Sequence, residues 1–222
     1  MTEQSQEEIM ETELLKIMDH KRNKIGIAAR EEVHRLGYWH DAFHCWIVTK
    51  ENGIDYILVQ LRSHTKKDYP NLFDITAAGH ILATETIEDG VREVTEELGI
   101  HLSFEELTPM GVVEYSVIND NFIDNEMAHL FLYKTNKSFD KFTLQKEEVA
   151  GLYKAEFNHF TEMFFGNREE MIVEGFEINE LGEKYFINKM VKTKDFVPHP
   201  LSYYQCVIKK ITEMLIREVK ID

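Results

Sequence analysis

The chain has 222 residues, of which 40 are acidic and 25 basic, and its formal net charge is −15 at pH 7. This length allows one domain with a substantial core, together with added helical pieces. So acidic a surface repels phosphodiester backbones and anionic membranes, so we expect no nucleic acid partner and no membrane partner. Because the sequence contains no signal peptide and no apolar run of membrane length, we expect a soluble, cytoplasmic protein.

The first predicted element is an amphipathic helix from Glu7 to Lys21, in which apolar residues recur among acids and lysines. We interpret it as a packing or dimerising arm. Two strands follow, from Ala42 to Val48 and from Tyr56 to Arg62, since both segments are rich in aromatic and branched residues. The Glu-Asn-Gly turn at residues 51–53 predicts that the two strands form a hairpin.

The second strand leads into a cation-rich segment, RSHTKKDYP, from Arg62 to Pro70. One interpretation is that such a loop is simply a solvated surface. It can also form a clamp for a diphosphate, because arginine and lysine pair well with phosphate oxygens. These residues alone leave both interpretations open.

The most distinctive stretch is GHILATETIEDGVREVTEELGI, from Gly79 to Ile100. Its apolar residues fall three and four apart, which predicts a helix starting near Thr86 with one face toward a core. The residues of this apolar stripe are Ile87, Val91, Val94 and Leu98. Thr86 with Asp89 can cap the start of the helix, and Gly99 can end it in a left-handed turn.

The opposite side of this helix carries Glu93, Glu96 and Glu97, whose spacing makes their carboxylates converge. Like charges so placed repel one another, and three such glutamates alone are usually a solvated face. A helix that binds Mg²⁺ or Mn²⁺, however, needs several hard oxygen ligands on one side. The preceding Gly79 and Glu85, at their offsets from the glutamates, favour the metal interpretation.

The stretch resembles the Nudix box: a glycine, five residues, a glutamate, seven residues, and then REUxEExGU with U apolar. The tail REVTEELGI matches at every fixed position. One residue is missing, since only six residues separate Glu85 from Arg92. The resemblance extends over roughly residues 41–160, and it implies a mixed α/β (α+β) Nudix fold, with the sheet in an α/β/α sandwich.

The Nudix resemblance also implies a chemistry, attack by water on a diphosphate bond of a small phosphorylated substrate. Three glutamates would hold the Mg²⁺ or Mn²⁺ cofactor, namely Glu93, Glu96 and Glu97. Of these, Glu96 and Glu97 would be catalytic. Gly79 and His80 would lie against the substrate, whereas Glu85, Arg92 and Gly99 would be structural.

Beyond the box, Leu107 to Glu114 and Glu126 to Tyr133 are predicted strands, with an acidic, asparagine-rich loop between them at residues 118–125. Glu126 and His129 could reach a metal centre from the second strand. As single residues, each is more often a rim group or a satisfied polar group.

The segment EEVAGLY at residues 147–153 resembles the late Nudix segment in which a glutamate acts as general base or extra ligand. Of the two adjacent acids we choose Glu148 over Glu147 as the catalytic candidate. Two neighbouring acids in a loop are more often without function.

The rest of the chain adds helices. Asn158 to Phe165 is a predicted capped helix, residues 168–194 show no clear pattern, and Leu201 to Val219 is a predicted amphipathic helix. We therefore divide the chain into a helical arm at 1–30, a Nudix domain at 31–165 and an extension at 166–222. The amphipathic helices at both ends favour a homodimer.

The order of motifs EVHRLGYWH, hairpin, LVQLRS, Lys66, Pro70 and Gly-His is similar to the isopentenyl-diphosphate isomerase branch of the superfamily. In that resemblance Arg62 and Lys66 match positions that bind diphosphate. The isomerases carry a catalytic cysteine just before the Gly-His step, where this chain has Ala77-Ala78.

Three hypotheses follow. The first is a Mg²⁺-dependent Nudix pyrophosphohydrolase, the second an isoprenoid-diphosphate isomerase that lacks its cysteine, and the third a ligand-sensing domain without turnover. The intact REVTEELGI tail favours the hydrolase, because a pure sensor has no need of three converging carboxylates.

Overall fold

The computed structural model describes residues 13–119 and 122–219. It is an α+β fold in which one sheet of eleven strands is flanked by α-helices. The strands are β1 Leu14–Met18, β2 Lys24–Ala29, β3 Trp39–Glu51, β4 Ile54–Arg62, β5 Phe73–Asp74, β6 Ala77–His80, β7 Thr108–Asn119, β8 Phe122–Lys134, β9 Val149–Glu156, β10 Met171–Ile178 and β11 Lys184–Val191. The helices are α1 Arg30–Leu36, α2 Arg92–Leu98, α3 Phe157–Phe164 and α4 Leu201–Val219.

Strand β3 is the centre of the sheet. It runs parallel to β8 along its length and antiparallel to β4, β6 and β1. Its core, from Ala42 to Val48, is buried throughout because a hydrophobic core packs on each face of the sheet. The predicted β3–β4 hairpin is confirmed, and Asn52 and Gly53 at its turn have φ of 50° and 84°, as an Asn-Gly hairpin requires. The mixed sheet of the expected Nudix fold is therefore present.

Two large cores lie on the two faces of the sheet. One packs α2 against the sheet, and the other packs α3 and α4 against it. The predicted helices at 158–165 and 201–219 are both confirmed. Helix α4 packs on the domain through Val207, Ile208 and Ile211, which are fully buried. Within the described residues, no helix combines the length and the apolarity that crossing a membrane requires.

The predicted N-terminal helix is wrong from Leu14 onward. Residues 14–18 and 24–29 form the antiparallel hairpin β1–β2, whereas residues 7–12 of the prediction lie outside the described part of the chain. The Asp19 carboxylate accepts the backbone N–H groups of Lys21 and Asn23, and this contact closes the turn. Strand β1 is then held by the loop before α2, since the Ala83 N–H donates to the Leu14 carbonyl.

The helix of the Nudix box begins later than predicted. Residues Glu88–Val91 form a 3₁₀ turn, and the α-helix runs only from Arg92 to Leu98. The tighter turn brings Gly90 against Phe43, where a side chain would not fit. The predicted apolar stripe is confirmed, with Val94 and Leu98 fully buried, and Gly99 ends the helix at a φ of 67°.

The loop predicted at residues 118–125 is wrong for its described part. Strands β7 and β8 continue to Asn119 and from Phe122, and residues 120–121 lie outside the described chain. The polar side chains form bonds across the ladder, as in the hydrogen bond from Ser116 Oγ to Asn125 Oδ1. The segment at 168–194, which showed no pattern, forms the β10–β11 hairpin.

Candidate active site

A cavity of about 670 Å³ opens where β3, β6 and β8 meet helix α2. Its wall combines carboxylates of α2, a group of imidazoles, several cations and a few aromatic rings. The candidate residues that line it include Arg62, Lys66, Gly79, His80, Arg92, Glu93, Glu96, Glu97 and Glu148. The fold thus brings together residues that are as much as 86 positions apart, from Arg62 to Glu148.

Glu97 and Glu93 are the buried carboxylates of α2. Glu97 accepts the Ala78 N–H at 3.1 Å; burial, then the charges of Glu93 and Glu148, raise the pKa of Glu97 well above its ordinary value despite nearby Lys66. Burial likewise raises the pKa of Glu93 to about 7, against the opposing effect of Arg92. Two acids whose charged forms are disfavoured and which face the same cavity suit a divalent cation, because the cation would supply the missing positive charge.

Glu96 differs from the other two glutamates. Its side chain is 52% exposed and pairs with Arg92 at 3.0 Å, at the rim of the cavity. Helix geometry explains the difference, since the positions of Glu93 and Glu97 are one turn apart on the side that faces β6. Within this group of three, Glu93 and Glu97 are therefore the deeper ligand candidates.

Arg92 connects the helix to the preceding loop. It donates to both oxygens of Glu85, at 2.6 and 3.1 Å, and to the His80 carbonyl at 3.2 Å. Glu85 also accepts the Leu82 N–H at 2.8 Å. The box is one residue short, and the 3₁₀ turn before α2 nevertheless leaves Glu85 within reach of Arg92. These contacts are those of a structural clamp.

Gly79 lies directly against the Glu93 carboxylate. A Cβ atom at this position would overlap the Glu93 side chain, which supplies all three of its nearest heavy atoms. We expect Gly79→Ala to displace Glu93 and to lower kcat/KM by roughly 10²-fold, the cost of misplacing one group in an active site. Gly26→Ala is the matched control, because its Cβ would make ordinary contacts with Ile17 at 3.5 Å. Equal kinetics for the two variants, measured by initial rates, would contradict this role of Gly79.

Two cations of the segment at residues 62–70, Arg62 and Lys66, line the cavity, and each pairs with an acid. Arg62 donates to Asp74 at 2.9 Å and twice to the Asp68 carbonyl, at 2.8 and 3.2 Å. Burial opposes ionisation of Asp74, but the hydrogen bond with His199 and the charge of Arg62 hold the pKa of this carboxyl at about 2. Lys66 forms an ion pair with Glu148.

Glu148 and its neighbour are placed differently. Glu148 lines the cavity and contacts Lys66, whereas Glu147 lies outside the lining and forms a long ion pair with Lys146 at 4.0 Å. The Glu147 carbonyl accepts a hydrogen bond from the Thr65 hydroxyl, so Glu147 stabilises the loop. The geometry therefore favours Glu148 of the two candidates.

The group that we call the histidine centre contains three imidazoles and one carboxylate, those of His34, His40, His80 and Asp124. One donor atom from each lies within 4.8 Å of the others. His34 and His40 approach Asp124 Oδ1 at 3.5 and 3.4 Å. The buried atoms His34 Nε2, His40 Nε2 and Asp124 Oδ1 have no hydrogen-bond partner among the described residues. Unpartnered buried donor atoms that converge in this way fit a metal ion.

Sequence reasoning missed this centre, apart from His80 as a substrate contact. His34 and His40 stand only six residues apart, and Gly37, at a φ of 69°, reverses the chain between them. That spacing was a usable signal. Asp124 could not be found in the same way, because it fell in a predicted loop. Burial, and then the charge of His80, lower the pKa of His40 to about 4, so that it is neutral at pH 7, as a metal-binding imidazole must be.

The two open candidates on β8 have separate environments. Glu126 is buried at the cavity, accepts the Tyr115 hydroxyl and lies 3.0 Å from His44 Nε2. His129 lies outside the cavity lining and pairs with Asp41 at 2.7 Å. His129 is thus a satisfied polar group, whereas Glu126 belongs to the site.

The titration of Glu93 predicts that a cation at this carboxylate would bind in a pH-dependent manner. Its folded pKa of about 7 exceeds the ordinary value of 4.5, so the bound proton stabilises the metal-free protein at low pH, and this contribution is lost as pH rises through 7. A divalent cation competes with that proton. We expect the Mg²⁺-induced rise in Tm to be small near pH 5.5 and to grow toward about pH 8. Glu93→Gln should flatten this dependence in thermal unfolding, and a pH-independent rise in wild type would contradict it.

Comparison with known proteins identifies the family. The NUDIX domain family model matches residues 38–172. An uncharacterized Nudix hydrolase of Clostridium acetobutylicum is 38% identical over 204 residues, which cover 92% of this chain and 99% of that protein. An isopentenyl-diphosphate Delta-isomerase of Saccharopolyspora erythraea is 26% identical over 147 residues, which cover 65% of this chain and 73% of that protein.

Among solved structures, the crystal structure of DR0079 from Deinococcus radiodurans is similar to this fold, with a TM-score of 0.54 at 15% identity. The match covers 70% of this chain and 91% of that one. These findings confirm the family and the fold that the motif predicted, and the isomerase-like branch at low identity. The chain therefore belongs to the Nudix hydrolase family.

Proposed function

We propose that the protein hydrolyses the diphosphate linkage of a nucleoside diphosphate derivative or a similar small phosphorylated metabolite, with Mg²⁺ or Mn²⁺ as cofactor. One observation carries the proposal. The carboxylates of Glu97, which is buried, and of Glu93, which is 13% exposed, face the same cavity as the cations Arg62 and Lys66. A cavity that holds both acids able to bind a metal and cations able to pair with phosphate oxygens suits a substrate that bears phosphate and a bound cation.

The ligands of the cation would be Glu93 and Glu97, with Glu96 at the rim. A cation bound there would neutralise phosphate charge and lower the pKa of a water molecule. Arg62 is oriented by Asp74 and Asp68, so its free N–H groups can donate to diphosphate oxygens without reorganisation. The chain thereby binds and orients the phosphate before any bond breaks.

Lys66 links substrate binding to the general base. In the structure Lys66 pairs with Glu148. When a phosphate enters, the ammonium of Lys66 can exchange its partner, which leaves the Glu148 carboxylate able to accept a proton from water. Glu148 is therefore the base in this proposal, as the late Nudix segment suggested.

The histidine centre would hold a second divalent cation. Its ligand set of three imidazoles and one carboxylate suits Mn²⁺ or Zn²⁺ better than Mg²⁺, because nitrogen ligands favour transition metals. His80 belongs to this centre and also lines the cavity, so the second cation would border the substrate.

An isoprenoid-diphosphate isomerase is the second candidate. It is favoured by the isomerase relatives and by one cavity whose lining includes three members of the histidine centre together with Glu126 and Tyr115. Against it, Ala77 and Ala78 occupy the place of the isomerase cysteine, and neither side chain can donate a proton. A ligand-sensing domain, the third candidate, predicts binding without turnover.

The test is a panel of nucleoside diphosphate derivatives, dinucleotides and isopentenyl diphosphate, incubated with Mg²⁺, with Mn²⁺ and with EDTA. Release of phosphate or nucleoside monophosphate that EDTA abolishes is the expected result. Isomerisation with the diphosphate intact would favour the second candidate. Tight binding with no product from any compound would favour the sensor.

A further inference from the structure

Two residues that follow the region matched by the family model approach the cavity, one by lining it and the other by contacting His44, which lines it. They are His199, in the turn before α4, and Tyr203, in the first turn of that helix. Tyr203 is fully buried and lies outside the cavity lining, whereas His199 lines the cavity with a side chain 9% exposed. Each contacts a buried polar group that in turn contacts a residue of the proposed site.

Tyr203 is the start of one hydrogen-bonded chain. Its oxygen accepts the Trp46 indole N–H at 3.3 Å, so its own proton is free to donate to His44 Nδ1, 2.7 Å away. His44 Nε2 lies 3.0 Å from Glu126 Oε2. An ionised carboxylate can only accept, so Nε2 carries the proton and Nδ1 of a neutral imidazole must accept. Tyr203 therefore selects the His44 tautomer that donates to Glu126.

Glu126 carries this orientation to the histidine centre. One of its oxygens accepts from His44 and from the Tyr115 hydroxyl. The other oxygen, Oε1, lies 3.9 Å from His80 Nε2. Two donors thus fix the carboxylate with its remaining oxygen toward the imidazoles. A change at Tyr203 should be felt where the second cation would bind.

His199 is the start of a second chain. Its Nε2 lies 3.1 Å from Asp74 Oδ1, and Asp74 Oδ2 accepts from Arg62 Nη1 at 2.9 Å. The remaining bonds of Arg62 go to the Asp68 carbonyl. Because a guanidinium is planar, these bonds set the plane in which its free N–H groups face the cavity.

We propose that His199 and Tyr203 of the C-terminal extension are positioning residues of the active site, and that they act on separate parts of it. Tyr203 orients Glu126 at the histidine centre through His44, and His199 orients Arg62 at the phosphate-binding wall through Asp74. This inference rests on the proposed function. The rings of His199 and Tyr203 lie in contact, with centroids 5.1 Å apart, but their hydrogen bonds go to different partners. The inference therefore predicts that loss of the Tyr203 hydrogen bond weakens cation binding and that loss of the His199 hydrogen bond weakens phosphate binding.

The first arm of the test measures Co²⁺ binding by visible absorption, which reports ligation by imidazole nitrogen. We expect Tyr203→Phe to weaken Co²⁺ binding by about 10-fold, the lower end of what outer-shell changes cost. Tyr204→Phe is the matched control. It removes an equally buried hydroxyl from the same helix, but that hydroxyl donates to the Val197 carbonyl and not to His44. Tyr204→Phe should bind Co²⁺ as wild type does.

The second arm measures binding of methylenediphosphonate, a diphosphate mimic that cannot be hydrolysed, by calorimetry at saturating Mg²⁺. We expect His199→Leu to weaken binding by about 2- to 10-fold, the worth of one orienting hydrogen bond. His199→Gln should restore it, since the Gln amide can donate where Nε2 does. Co²⁺ absorption should be unchanged in both His199 variants, and methylenediphosphonate binding unchanged in Tyr203→Phe.

Equal Co²⁺ affinity in Tyr203→Phe and Tyr204→Phe would overturn the Tyr203 arm. Unchanged methylenediphosphonate affinity in His199→Leu, or no recovery in a folded His199→Gln, would overturn the other. A wild-type protein that binds neither probe would overturn the proposed function and this inference with it. Failure of this inference can therefore be distinguished from failure of the proposed function.

Discussion

Glu97→Gln is expected to lower the kcat of metal-dependent turnover by about 10²–10³-fold, as when one preorganised electrostatic group is removed. The amide has the shape of the protonated acid and can still accept the Ala78 N–H. Burial already disfavours the charged form of Glu97. The metal-free variant should therefore unfold at the wild-type temperature or above it, whereas its kcat and its Mg²⁺-induced rise in Tm should fall.

Glu88→Gln is the matched control for this change. Glu88 belongs to the 3₁₀ turn that precedes the same helix, but it is exposed and lies outside the cavity lining. Wild-type kcat and wild-type Mg²⁺ stabilisation are expected for it. If Glu97→Gln retained wild-type turnover, the carboxylates of α2 would not be the metal ligands of the reaction.

Asp124→Asn should have the second largest effect, on the cation of the histidine centre. The side chain whose oxygen approaches both His34 and His40 would keep its shape but lose its negative charge. We expect the affinity for Mn²⁺ at this centre to fall by at least about 10–100-fold, which is what changes to outer-shell residues cost. The loss should be no smaller here, because Asp124 is a candidate for a direct ligand. Two measurements report the change, namely the Mn²⁺ content after dialysis and a calorimetric Mn²⁺ titration.

Asp41→Asn is the control for Asp124, because it alters a second aspartate–histidine pair in the same sheet. Asp41 contacts His129 at 2.7 Å, and neither residue lines the cavity. Its Mn²⁺ stoichiometry should equal that of wild type. Identical Mn²⁺ binding by both variants would show that the convergence of imidazoles on Asp124 holds no cation.

The Nudix helix could be predicted from the sequence because its signal is local. Glu93 and Glu97 stand one turn apart, and Val94 and Leu98 place the opposite face in the core, so spacing alone orients the carboxylates. The late start of the helix could not be predicted. It depends on the contact of Gly90 with Phe43, which only the folded chain brings together.

The N-terminal hairpin shows a different limit. Leu14, Leu15 and Met18 fit a helical stripe as well as they fit a strand. Pairing decided between the two, since Met18 opposes Trp39 of β3 and Leu15 opposes Leu82 beside the Nudix box. Such tertiary contacts override a local pattern and leave no mark in the segment itself.

The histidine centre was hidden for the same reason. Its donors come from α1, β3, β6 and β8, and no stretch of chain contains more than two of them. Only the parallel pairing of β3 with β8, which places His40 opposite Glu126, brings Asp124 near the two N-terminal imidazoles. Topology, and not spacing, assembles this part of the site.

Under the proposed function, water attacks a diphosphate bond in this cavity. The most direct measurement is turnover of the best compound of the panel in ¹⁸O-labelled water, followed by mass spectrometry of the products. We predict one ¹⁸O atom in one of the two phosphorus-containing products, and for Glu97→Gln the same labelled product formed about 10²–10³-fold more slowly. Turnover that leaves the diphosphate intact and free of ¹⁸O would contradict hydrolysis and assign the cavity to isomerisation.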